Sequence, residues 1–342
     1  MPQIRGISTL LDFNAYFKLI GDLKEKINPY TVTYMQTLGP PTVFFYFLPF
    51  SIFPIKAAQG IFTLINISCG ISACYLLASR FYPKFKIAAF LLLNLIFFSS
   101  FPVRFSIEIG QPNLVICYLI SLLICIPKIK FPSIILALLI SIKTNYFLVL
   151  ISFLKKNLKL VIKTLLVIIS FAVLLFPIIK PSFYSYYLFQ KTKNVLPAFG
   201  KNVSIDYYNQ SIPSSLTRLG VIQNQKELYL LITIVLIYLT FRSSNLLVGI
   251  LSSILLSPVA WQHYFAVLLP VFVVVFVNLK KKPINLLFFF IAIIFWWIEF
   301  PWLHLSPLNF INGVLASHYF ISTLILIFLI LLGSKKHSFM LK

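Results

Sequence analysis

Residues 57–79 read AAQGIFTLINISCGISACYLLAS, twenty-three positions without a charged side chain, and Arg80 follows at once. At 1.5 Å per residue such a run covers the roughly 30 Å hydrocarbon core of a bilayer, so it predicts a membrane-spanning helix. Outward from it the pattern recurs. Apolar runs lie at 87–103, 113–127, 158–179, 228–241, 245–258, 262–279, 283–300 and 313–333, with basic connectors between many of them. Two stretches are interrupted. Residues 41–55 (PTVFFYFLPFSIFPI) carry Pro49 and Pro54 and suit a broken or interfacial helix. Residues 131–154 divide near Lys143-Thr144-Asn145, which suits two half-helices of a hairpin. The expected fold is all-α, a polytopic transmembrane bundle of about 9–11 spans or half-spans with short outer-face helices. Residues 1–342 form its single domain.

The composition agrees, with 60% hydrophobic and only 11% charged residues and a mean hydropathy of +0.95. Lipid must be the solvent for such a chain. Its formal charge of +22, from 29 basic and 7 acidic residues, would suggest nucleic acid in a soluble protein. Here the basic residues cluster between apolar runs, as the positive-inside rule produces, and no RNA-binding motif or zinc spacing accompanies them. No nucleic-acid partner is expected. The clusters Arg80/Lys84/Lys86, Lys128/Lys130, Lys155/Lys156/Lys159/Lys163, Arg242, Lys280-Lys281-Lys282 and Lys335/Lys336 all fit one side, the cytoplasm, with a tail at 334–342. That leaves 1–40, 104–112, 180–227, 259–261 and 301–312 outside a cell membrane crossed many times. Cys69, Cys74, Cys117 and Cys125 fall within apolar runs without CxxC spacing and read as small buried side chains.

All seven carboxylates (Asp12, Asp22, Glu25, Glu108, Asp206, Glu227 and Glu299) fall on or beside the outer segments. Either topological bias or an outer-face active centre accounts for this. Soluble-enzyme motifs are absent: there is no phosphate loop, no GxSxG, no HExxH and no dense acidic set for a metal. Asp12 in TLLDFNAYF is flanked by apolar residues; it suits a partly desolvated general base or a capping carboxylate. In FPVRFSIEIGQPNLV, Arg104 suits a phosphate and Gln111 and Asn113 suit sugar hydroxyls, while Arg104 and Glu108 also suit a simple ion pair. Lys143 is an ionisable group at membrane depth, where such residues face a cavity or a partner. IDYYNQSIPSSLTRLG brings Asn209, Gln210 and Arg218 into a polar cluster, in a loop spanning 180–227. SPVAWQHYFAVLLP places Trp261 and His263 at a hairpin tip, where the imidazole is either structural or a donor to phosphate.

In order, these blocks resemble glycosyltransferase family 87, the polyprenyl-phosphate-mannose-dependent mannosyltransferases of the GT-C superfamily. The resemblance is carried by DF-x-x-Y (Asp12-Phe13, Tyr16) with Asn28-Pro29-Tyr30 and Pro40-Pro41, GQ-x-N (Gly110-Gln111, Asn113), Lys143 in a hairpin, NQS-x6-R (Asn209-Gln210-Ser211, Arg218) and SP-x-x-W-x-H (Ser257-Pro258, Trp261, His263). It implies a GT-C-type bundle and an inverting hexosyltransferase. Asp12 would be the base and His263 its neighbour or the donor phosphate's. Arg104, Glu108, Gln111, Asn113, Lys143, Asn209, Gln210, Arg218 and Trp261 would bind substrate. The implied partners are a polyprenyl-phosphate sugar, a glycolipid or glycan acceptor and membrane lipid, with neither metal nor other cofactor required. The family carries a transmembrane helix ahead of the DF block, whereas eleven residues precede Asp12, so a first helix is expected to be missing. The rival classes are a lipid-linked sugar flippase or transporter, which predicts paired broken helices in two repeats, and an O-antigen ligase or polymerase, which predicts an arginine-rich outer loop. Residues 180–227 hold one arginine, Arg218.

Overall fold

The computed structural model describes residues 10–31, 39–126, 129–191, 207–221, 225–257, 259–300 and 310–333. Asp206 and Pro258 lie outside the described residues, as do the two ends of the chain. The described residues are helical, with no strand among them and one isolated antiparallel bridge between Asn209 and Trp261. The chain is an all-α polytopic membrane protein.

Helix α1 (Leu11–Lys24) is followed by α2 (Val43–Phe47), which tightens into a 3₁₀ segment at Leu48–Ile52 where Pro49 removes a donor. The broken helix expected at 41–55 is therefore present. Helix α3 (Ile55–Phe81) is the one described helix long and apolar enough by itself to cross a membrane. The run read as a span at 87–103 is instead two helices, α4 (Lys86–Ser99) and α5 (Phe101–Ile109), bent by 64°. Ser100 is extended and Pro102 opens α5, where a missing N–H costs nothing. Helices α6 (Asn113–Cys125) and α7 (Pro132–Ile142) follow. Lys143 then breaks the helix in an extended conformation ahead of a 3₁₀ segment (Thr144–Leu150) and α8 (Ile151–Leu154).

Next come α9 (Leu158–Leu174), α10 (Pro181–Tyr186), α11 (Ile212–Arg218), α12 (Gln225–Ser243) and α13 (Leu246–Leu255). Asn157 and Asn245 cap α9 and α13, accepting from Leu160 N at 3.0 Å and Leu247 N at 2.9 Å. A 3₁₀ segment (Gln262–Leu268) runs into α14 (Leu269–Asn278), and α15 (Pro283–Trp297) follows. The run read as one span at 313–333 is two helices, α16 (Phe310–Ala316) and α17 (His318–Gly333), bent by 70° at Ser317. With each bent pair taken as one span, up to three spans meet the length and composition test, and the other apolar helices are shorter.

Two cores organise these pieces. The larger one joins α3 to α9 with α11 to α15 and α17. The smaller is aromatic and gathers Phe13, Phe44, Phe47, Phe50 and Phe62 from α1, α2 and the start of α3. Phe13 lies 4.6 Å from Phe62 between ring centroids. All four cysteines are free, and three of them are buried.

Candidate active site

The two cores meet where the DF and GQ blocks touch. Gly110 ends α5 in the left-handed region at φ 77°. A Cβ there would stand 2.8 Å from the Phe13 Cβ and 3.2 Å from the Leu10 Cα, so only glycine permits the approach. Leu10 N donates to the Glu108 carbonyl at 2.7 Å, and Leu10 itself takes φ 59°, a strained value for leucine. This tether fixes the start of α1. Asp12 falls in its first turn, where the helix dipole favours a carboxylate. Gln111 Nε2 donates to Asp12 Oδ2 at 2.5 Å.

Asp12 is recessed yet partly exposed. Burial raises its carboxyl above the ordinary carboxylate value, while the Gln111 hydrogen bond and the charge of Lys143 pull it down. The direction that wins is up, toward a stronger base. Lys143 Nζ is buried without a hydrogen-bond partner among the described residues and rests 3.3 Å from the ring centroid of Tyr264, a cation–π contact. Tyr16, stacked on Phe47 at 4.3 Å, and Tyr264 are both in electrostatic range of Asp12. His263 packs edge-on to Tyr264 at 4.9 Å and to Phe105 at 5.6 Å. Both of its ring nitrogens are buried without a hydrogen-bond partner among the described residues. The result is a polar cluster (the chamber) of a carboxylate, a lysine amine, an imidazole and two phenols.

The other expected site residues divide into two groups. Asn113 begins α6, and its Nδ2 donates to Ser106 Oγ at 3.0 Å, while Gln111 N donates to the Ser106 carbonyl at 2.9 Å. It therefore shapes the turn that carries Gln111. Arg104 and Glu108 point outward from α5, in electrostatic range of Glu299.

Asn209, Gln210, Arg218 and Trp261 form a separate brace. Arg218 donates to Ser317 Oγ at 3.1 Å, the Asn209 carbonyl at 2.8 Å, Ser214 Oγ at 2.9 Å and Ser215 Oγ at 3.2 Å. Asn209 Oδ1 accepts from Ser211 N at 3.1 Å and Ala260 N at 3.2 Å. Gln210 Nε2 donates to the carbonyls of Tyr207 and Ala316, each at 2.8 Å. Tyr264 and Ser317 were not singled out from sequence. Tyr264 adjoins His263 in the quoted block and could have been; nothing around Ser317 signals its role. Among the described residues no three His, Cys, Asp or Glu side chains group as metal ligands.

Bundle and chamber together define a membrane-embedded protein with a recessed carboxylate in electrostatic range of a buried lysine. A model of glycosyltransferase family 87 matches residues 38–258. The chain belongs to that family and is a glycosyltransferase. No curated protein and no solved structure matches it. The matched stretch holds Gln111 and Lys143 and stops short of Asp12 and His263, yet folding brings all four to one chamber.

Proposed function

We propose that this glycosyltransferase moves a hexose, mannose by family resemblance, from a polyprenyl-phosphate donor to a glycolipid or glycan acceptor. The bundle would be of the GT-C type, with the chamber on the non-cytoplasmic face of the cell membrane. Support for that side comes from the basic loops and the position of Asp12 outside the apolar runs. The single observation that carries the reaction is Asp12 Oδ2, held by Gln111 at 2.5 Å and facing Lys143.

Asp12 takes the proton of the acceptor hydroxyl as that oxygen attacks the anomeric carbon. The bond from that carbon to the phosphate oxygen breaks, and polyprenyl phosphate leaves with the electron pair, inverting the centre. Lys143 and His263 offset the charge that grows on the phosphate, a task suited to polar groups without protein partners. Tyr264 holds Lys143 until then. Arg218, committed to the brace, serves the scaffold.

In proteoliposomes supplied with radiolabelled polyprenyl-phosphate mannose and a membrane glycolipid extract, the wild type should label the acceptor and Asp12→Asn should not. Full transfer by Asp12→Asn would overturn the base assignment, and an inert donor with the wild type would overturn the donor class.

A further inference from the structure

We infer that Arg218 is a positioning residue for His263, acting through the Asn209–Ser211 turn rather than by touching substrate. The chain of contacts is continuous. Arg218 sits at the C-terminal end of α11, 3% exposed, and its guanidinium grips the Asn209 carbonyl and the α11 hydroxyls on one side and Ser317 Oγ on the other. Asn209 Oδ1 accepts from Ala260 N, Gln210 N donates to the Ala260 carbonyl at 2.7 Å, and Gln262 N donates to the Tyr208 carbonyl at 3.0 Å. Those bonds hold residues 260–262 as a short rung beside 208–210. His263 is the next residue.

Among the described residues the imidazole has no hydrogen bond of its own to hold it. Its orientation is therefore set by ring packing on Phe105 and Tyr264 and by the backbone that the rung fixes. Lysine cannot replace the fork of Arg218, because one ammonium cannot reach partners on α11, the turn and Ser317 in the same geometry. The far side is fitted as closely: a Cβ on Gly313 would collide with the Arg218 carbonyl. The bend between α16 and α17 thereby becomes part of the support for His263.

The kinetic part of this inference rests on the chamber being the transfer site; its structural part does not. The test uses the full chain in detergent or nanodiscs, with Arg218→Lys and the milder Ser317→Ala. Hydrogen exchange should speed up at 207–211 and 260–268 in both variants and stay unchanged in α3. Unchanged exchange at 260–268 in both overturns the inference whatever the enzyme does.

In transfer assays kcat should fall roughly tenfold for Arg218→Lys at unchanged donor KM, because misplacement rather than lost binding is the cause. Arg218→Lys should cost little more once His263→Ala is present. A raised donor KM at intact kcat, or additive losses in the double variant, would mean that Arg218 contacts the donor. A wild type that transfers nothing sinks the donor reading and leaves the exchange result to stand or fall alone.

Discussion

The chamber at Asp12 and the brace at Arg218 are both polar islands within an apolar bundle, and they treat their basic side chains in opposite ways, although the brace too leaves Gln210 Oε1 and Ser211 Oγ without a hydrogen bond among the described residues. In the brace Arg218 donates to at least four protein acceptors among the described residues, and Asn209 Oδ1 accepts two backbone N–H groups. In the chamber Lys143 Nζ and both nitrogens of His263 have no hydrogen-bond partner among the described residues. Leaving such groups unpaired costs stability. A satisfied cation holds a fold together, whereas an unsatisfied one is kept at a cost and suits a charge that arrives from outside.

The contrast can be broken most forcefully at Lys143. Lys143→Met removes the cation and keeps most of the volume, so transfer should fall roughly 10²- to 10³-fold. The unfolding temperature in detergent should hold or rise, because a buried amine without a hydrogen-bond acceptor among the described residues is gone. A large drop in that temperature would mean that Lys143 belongs with the scaffold.

Gly110→Ala should lower both activity and stability, the latter by about 1–3 kcal/mol, through positive φ and collision with Phe13. Thermal unfolding followed by tryptophan fluorescence measures it. Ser317→Ala removes one hydrogen bond of the brace and should lower stability by about 1 kcal/mol, read in the same unfolding experiment.

The smallest effect sharpens the chamber's chemistry through pH. Activity should fall as pH drops through the raised pKa of Asp12, since the protonated carboxyl cannot take the acceptor proton. Gln111 pulls that pKa down, so Gln111→Leu should move the acidic limb to higher pH. A limb that stays in place or moves to lower pH in a kcat/KM profile would separate Asp12 from the acidic ionisation.

Much of this was legible because apolar length and proline are local signals. Residues 57–79 predicted α3, Pro49 predicted the broken helix near 41–55, and Lys143-Thr144-Asn145 located a helix break that is present at Lys143. Pro102 signals the bend at Ser100, but the apolar run continues across it and reads as one span. The bend at Ser317 has no local signal. Arg218 grips Ser317 Oγ and its carbonyl packs on Gly313, so only the folded chain displays the cause. The site divides in the same way. Asp12 and Gln111 could be named as polar residues beside apolar runs, but whether an arginine is free or spent depends on partners up to 99 positions away.

The tether between Leu10 and Glu108 also bears on biosynthesis. Asp12 leaves the ribosome early, while Gln111 follows 99 residues later and Tyr264 and His263 come from the hairpin beyond residue 260. Until that hairpin has been inserted, the carboxylate lacks Tyr264, the last of its neighbours to be made. The cluster around Asp12 is therefore completed late in translation, and a nascent chain released before then carries the carboxylate without Tyr264 and His263 beside it.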